Sequence, residues 1–119
     1  MNHYLATFTR VKDHLLKQDA RSYGVLPNGR MGCAYRDSRG RSCAVGCLIS
    51  DEHYSPDLEG DNLNNTDIQN AVKMSGIQWD DDMKNMLLDL QEIHDNTSVE
   101  YWSTRLSLFR DNHQELFSK

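Results

Sequence analysis

The first stretch of the chain sets apolar residues at Tyr4, Phe8, Val11 and Leu15, with Leu5, Lys12 and Leu16 beside them. Steps of three and four gather these positions on one stripe of a 3.6-residue repeat, so an amphipathic helix is predicted over residues 3–18. From Arg21 onward that period disappears and turn formers take over: Gly24, then Pro27-Asn28-Gly29, then Asp37-Ser38-Arg39-Gly40. Short strands at 23–26, 32–36 and 41–45 are expected to form a small meander, the last two joined by a tight hairpin in which Gly40 supplies positive φ. Cys47-Leu48-Ile49 reads as a turn of helix, and residues 50–65 as a polar loop with room for one short helical turn.

Two capping boxes mark later helices. In Thr66-Asp67-Ile68-Gln69 the hydroxyl and the amide would each satisfy an otherwise unpaired backbone N–H, with Ile68, Ala71 and Val72 following on one face and Gly76 ending the helix. Asp80-Asp81-Asp82 then precedes the stripe Met83, Met86, Leu87, Leu90 and Ile93, an acidic start that the helix dipole favours. Thr97-Ser98-Val99-Glu100 is the second box, and Trp102, Leu106, Phe109, His113 and Leu116 follow it at spacings of four, three, four and three. The expected architecture is α+β: about four helices, three of them strongly amphipathic, packed with a small β-hairpin or meander in the first half. Its 119 residues fit a single domain over 1–119.

Apolar residues at 38% and charged residues at 26% are lean for a core but sufficient to fold one. No run approaches the apolar length that crosses a bilayer, and the start lacks the pattern of a signal peptide, so no membrane association and a cytoplasmic location are expected. The net charge of −5 hides two unlike halves. Residues 1–50 carry eight Lys/Arg against three Asp/Glu, and residues 51–119 carry five against fifteen. Direct DNA binding is not expected of an acidic chain, because it requires uncompensated cations to release counterions from phosphate. The acidic residues are spread over helix starts and polar faces, which is a solvated surface more than a mimic of a phosphate track. Arg21, Arg30, Arg36, Arg39 and Arg41, in contrast, crowd one segment. Their planar forks suit phosphate, carboxylate or an acidic protein surface, or else pair with the acidic half of the same chain.

The densest chemistry falls in the same region. Cys33, Cys43, Cys47 and His53 offer four ligands for a tetrahedral zinc, although gaps without a tight CxxC knuckle favour cysteines that act as small apolar residues. A nucleophilic cysteine at Cys43 or Cys47, with His53, His94 or His113 as base, lacks any surrounding motif. His94 is read as a structural residue at a helix end, His113, Trp102 and Phe109 as partly or wholly buried, and Trp79 as either a lid on the core or an exposed anchor. No cofactor is expected.

The run CAYRDSRGRSCAVGCLISDEHYSPDLEG, with LLDLQEIHDNTSVEYW further on, resembles a group of small uncharacterised proteins of bacteriophages and bacterial genomes. Position by position the resemblance singles out Cys33, Tyr35, Arg36, Gly40, Cys43, Gly46, Asp51, Tyr54, Glu59, Gly60, His94, Asp95 and Trp102. It implies a phage or prophage accessory protein in host cytoplasm, whose product binds and blocks or redirects a host protein without catalysis. The alternative is a binder of a small anionic ligand such as a nucleotide, and a cysteine- or zinc-dependent enzyme stands third. The residues assigned to partner or ligand are Tyr35, Arg36, Arg39, Arg41, Asp51 and Tyr54.

Overall fold

The computed structural model describes residues 2–119. Helix α1 (His3–Gln18) is capped by the Asn2 side chain, which accepts the Leu5 N–H at 2.8 Å, and it buries Tyr4, Phe8, Val11 and Leu15 as the pattern predicts. Two short antiparallel strands follow, β1 (Tyr23–Val25) and β2 (Met31–Cys33), in the register Tyr23 to Cys33, Gly24 to Gly32 and Val25 to Met31. Three one-turn 3-10 helices, Gly46–Leu48, Asp51–His53 and Pro56–Leu58, lead into α2 (Thr66–Met74) and α3 (Asp81–Asn96). A last 3-10 turn, Val99–Tyr101, leads into α4 (Trp102–Asn112) and the single turn α5 (Gln114–Phe117). The architecture is α+β, with the two strands early in the chain.

Three stripes converge on one core. α1 lies against α3, α4, α5 and the Gly46–Leu48 turn, and α3 lies against α4. Phe8, Leu15, Leu48, Ile68, Met83, Leu87, Leu90, Trp102 and Leu106 are fully enclosed. Each such side chain contributes about 1.5–3 kcal/mol relative to exposure, so the modest composition still assembles a continuous interior. Phe8, Phe109 and Phe117 cluster where α1 meets the C-terminal helices, with ring centroids 5.2–6.3 Å apart. Asn2 Nδ2 ties the chain start to the carbonyl of Leu116 at 2.8 Å. No described helix is long and apolar enough to cross a membrane.

Several local expectations are corrected. The ladder forms around Pro27-Asn28-Gly29, and the hairpin expected at Gly40 shrinks to one bridge between Arg36 and Ser42. A third strand does not develop because side chains occupy its backbone. The Gln18 amide both accepts from the Ser42 N–H and donates to its carbonyl at 2.9 Å, His14 Nε2 reaches the same carbonyl at 2.9 Å, and Gln91 Oε1 takes the Val45 N–H at 3.0 Å. The first capping box moves one residue upstream: Asn65 caps α2 by accepting from Asp67 N–H, while Gln69 reaches the Leu63 carbonyl. The second box makes no side-chain cap, and the helix expected to run through His113 breaks there into α4 and α5. Trp79 packs half-buried on the core with the Lys73 ammonium 6.0 Å from its ring centre, which is the lid and not the anchor.

Candidate functional site

Tyr35 and Arg36 leave β2 with backbone N–H groups that no strand receives. Glu59 accepts both, Oε1 from Tyr35 at 2.8 Å and Oε2 from Arg36 at 3.1 Å, and the Tyr54 hydroxyl donates to Oε2 at 2.6 Å. One carboxylate thus clasps three donors from two segments. Partial burial, then the bond to Glu59, pushes the Tyr54 hydroxyl up to about 12. Tyr35 is buried and donates its hydroxyl to the Asp61 carbonyl, and burial raises it far above an ordinary phenol. Arg36 lays its guanidinium over the Tyr54 ring at 4.4 Å, donates to the Ile49 carbonyl at 2.8 Å and meets the exposed Asp51 at 2.8 Å. Of the residues assigned to a binding site, Arg36, Asp51 and Tyr54 are therefore brought together, while the Tyr35 side chain turns away to Asp61.

The 37–41 turn is built on Asp37, whose side chain is withdrawn from solvent. It accepts the N–H groups of Tyr23, Arg39 and Arg41 and the Nε of Arg41, the last at 2.6 Å. Burial alone would raise its carboxyl, but these donors outweigh it and hold the group below the usual range. Gly40 closes the turn at φ +77°, the left-handed region that glycine enters without strain. Arg21 donates to the carbonyls of His94 and Thr97 at 2.8 and 2.6 Å, capping the end of α3. Of the five clustered arginines, Arg21, Arg36 and Arg41 are thus occupied chiefly by backbone carbonyls and nearby carboxylates. Pairing with the acidic half accounts for Arg36 alone, through Asp51. The side chains of Arg30 and Arg39 make no hydrogen bond or ion pair to any described residue.

Cys33, Cys43, Cys47 and His53 do not meet as a four-ligand site. Cys43 Sγ accepts the Gly46 N–H at 3.2 Å, Cys47 donates to the Ala44 carbonyl at 3.1 Å, and His53 lies 3.7 Å from Glu52 on a surface turn. Among the described residues the group with converging ligand atoms is Cys33, His94 and Asp95, all within 4.8 Å. Its chemistry is that of a lock. His94 is fully buried, its Nε2 accepts the Ser22 N–H at 3.0 Å, and its Nδ1 must therefore carry the proton donated to Asp95 at 2.8 Å. A metal on Nδ1 would move that proton to Nε2 and set it against the Ser22 N–H. Asp95 also accepts from Gln91 at 2.8 Å and from the Cys33 thiol, donors that overcome its burial and lower its carboxyl. The Trp102 ring lies 5.4 Å from that of His94, and its Nε1 donates to the Thr97 carbonyl.

Cys33 and Cys43 border a half-open cavity of about 360 Å³ beside Tyr35, Asp61, Glu92 and Asp95. Burial, reinforced by Asp95, pushes the Cys33 thiol up to about 12; burial also takes Cys47 to about 12 and Cys43 higher still. A thiol so held rests in its protonated form at neutral pH. Sequence reasoning missed the Arg21 cap and the Gln18 pairing, because both depend on distant backbone and carry no local signal; it read Asp37-Ser38-Arg39-Gly40 as a turn but not that the Asp37 side chain builds it, from its neighbours Arg39 and Arg41 and the distant Tyr23 N–H. Comparison with protein families, with curated proteins and with solved structures gives no match.

Proposed function

We propose that this chain is a small non-enzymatic binding protein that engages an acidic protein surface through the outer face of its β-hairpin and the arginines beside it. The observation that carries this reading is the exposure of Tyr23, Val25 and Met31, at 45%, 72% and 56%, on one side of the two-stranded ladder. Alternation puts Tyr23 and Val25 on one face, and the register sets Met31 across from Val25 on that same face. The opposite face holds Gly24 and Gly32, with the Leu26 side chain laid over Gly32. A contiguous apolar face on a ribbon without a third strand is the kind of surface a partner covers.

Charge selects the partner. Arg30 sits at the hairpin's end, and Arg39 lies in the adjoining turn that Asp37 fastens to the Tyr23 N–H. Both are exposed and uncommitted, so an apolar centre is rimmed by free guanidinium groups, which suits a surface of opposite sign and steers its approach. The protonated thiols and the tautomer-locked His94 support a role without catalysis. In this reading the partner is a host protein that binding would block or redirect, as the resemblance to phage proteins implies.

Val25→Asp and Arg39→Glu test the reading, since both side chains point to solvent and neither holds the fold. Immobilised wild type and the two variants are exposed side by side to host lysate, and the retained protein is purified for direct titration. An acidic partner bound by wild type, weakened at least about tenfold by each variant and by raised salt, is the expected result. Equal binding by the variants overturns the reading. So does a wild-type dimer that Val25→Asp dissociates, which would make a second copy the occupant.

A further inference from the structure

We infer that the cleft between the end of α1 and the 36–51 segment is a site for a phosphate group, with Asp51 as a displaceable occupant. The cleft has a volume of about 420 Å³ and is bordered by His14, Arg36, Arg41, Ser42, Cys47 and Asp51. It is separate from the hairpin face and does not depend on the docking role given to it. Two guanidinium groups reach it, and each is oriented from behind. Arg36 is fixed by the Ile49 carbonyl and the Tyr54 ring, and Arg41 is fixed through Nε by the enclosed Asp37. Groups held in this way lose little freedom when an anion arrives.

The donors that remain are suited to an oxyanion. A guanidinium has five N–H groups. Arg41 spends Nε on Asp37, and its terminal nitrogens reach no acceptor among the described residues. Arg36 turns NH1 to Asp51, whose side chain is 97% exposed. An ion pair so open to water is among the weakest contacts in a protein, so a dianion that can bridge both arginines displaces it at little cost. Asp37 also borders the cleft, with its oxygens already turned to three N–H groups and Arg41 Nε. His14 serves as wall, its Nε2 committed to the Ser42 carbonyl.

The same geometry narrows the ligand. The two aromatic rings expected to stack a nucleotide base offer no free face: Arg36 covers the Tyr54 ring, and Tyr35 is buried with its hydroxyl on Asp61. Arg39, placed in the ligand set by sequence, makes no border of this cleft. Recognition is therefore of the phosphate group, without a base.

Titration of the full chain with inorganic phosphate, followed by amide NMR at constant ionic strength, tests the site directly. Saturable shifts are expected at Arg36, Arg41, Ser42, Cys47 and Asp51. Asp51→Asn removes the occupant without touching the fold and is expected to tighten phosphate binding about twofold to fivefold. Arg41→Gln is expected to weaken it at least about tenfold, with circular dichroism checking that the Asp37 turn persists. AMP is expected to bind no better than phosphate. Absent or unsaturable shifts, shifts centred elsewhere, an Asp51→Asn variant that binds no tighter, or much tighter binding of AMP would overturn the inference.

Discussion

Gly46 shows how a single position can be dictated by a neighbour eleven residues away in sequence and in contact in space. A Cβ built there would lie 2.1 Å from the Tyr35 carbonyl oxygen, which is backbone and cannot step aside. Gly46→Ala must therefore shift the segment that Glu59 clasps, at a cost of about 2–3 kcal/mol, read as a lowered urea midpoint with an unchanged slope. The same logic applies to most residues that the resemblance singled out. Glu59, Tyr54 and Arg36 hold the exit from β2, and Cys33, His94, Asp95 and Trp102 hold the end of α3. Their chemistry looks catalytic in a list of residue types. In space each of these side chains has a structural partner, and no buried side-chain nitrogen or oxygen among the described residues lacks one.

At the scale of elements, the end of α3 is where the two halves of the chain are fastened. The carbonyls left unpaired there are taken by Arg21, arriving from the start of the β region, and the adjacent His94 receives the Ser22 N–H. Arg21→Gln removes a charged donor from two carbonyls and is expected to cost about 1.5–3 kcal/mol, with hydrogen exchange speeding first in the last turn of α3 and at Ser22. Arg30→Gln, in the same cluster but without a partner, is expected to leave stability unchanged. Helices were legible because their stripes repeat every three or four residues, and α1, α2 and α3 fall where the pattern sets them. Two of the expected strands also form, β1 and β2, whereas the third, over 41–45, does not. Three-residue strands carry too little alternation to fix a register, and whether the 41–45 segment pairs with β2 depends on Gln18, His14 and Gln91 arriving from helices that the local pattern cannot bring near.

For the whole molecule, acid is the perturbation the fold is built to feel. Asp37 and Asp95 are lowered because hydrogen bonds from named donors outweigh burial, and Asp80 is lowered first by its bond from Tyr4 and then by the α3 N-terminus. A carboxyl whose folded value lies below its unfolded value of about 3.9 adds stability that is fully present above that pH and is lost as pH falls below it. The share of the unfolding free energy that these carboxylates supply should therefore hold down to about pH 5 and drop below about pH 4, and Asp95→Asn or Asp37→Asn should each flatten that drop while lowering stability at pH 7. Urea titrations across the range check both statements. The amino-acid sequence by itself determined the α+β class, the helix stripes, the acidic start of α3 and the polarity of the two halves, because these depend on periodicity and composition within short windows. Tertiary structure decided which arginines are free, which carboxylates are buried, that His94 is a lock and not a ligand, and that the hairpin's apolar face remains uncovered. These outcomes turn on which segments folding brings together, and a backbone N–H or carbonyl that serves as partner carries no side-chain signature to announce it.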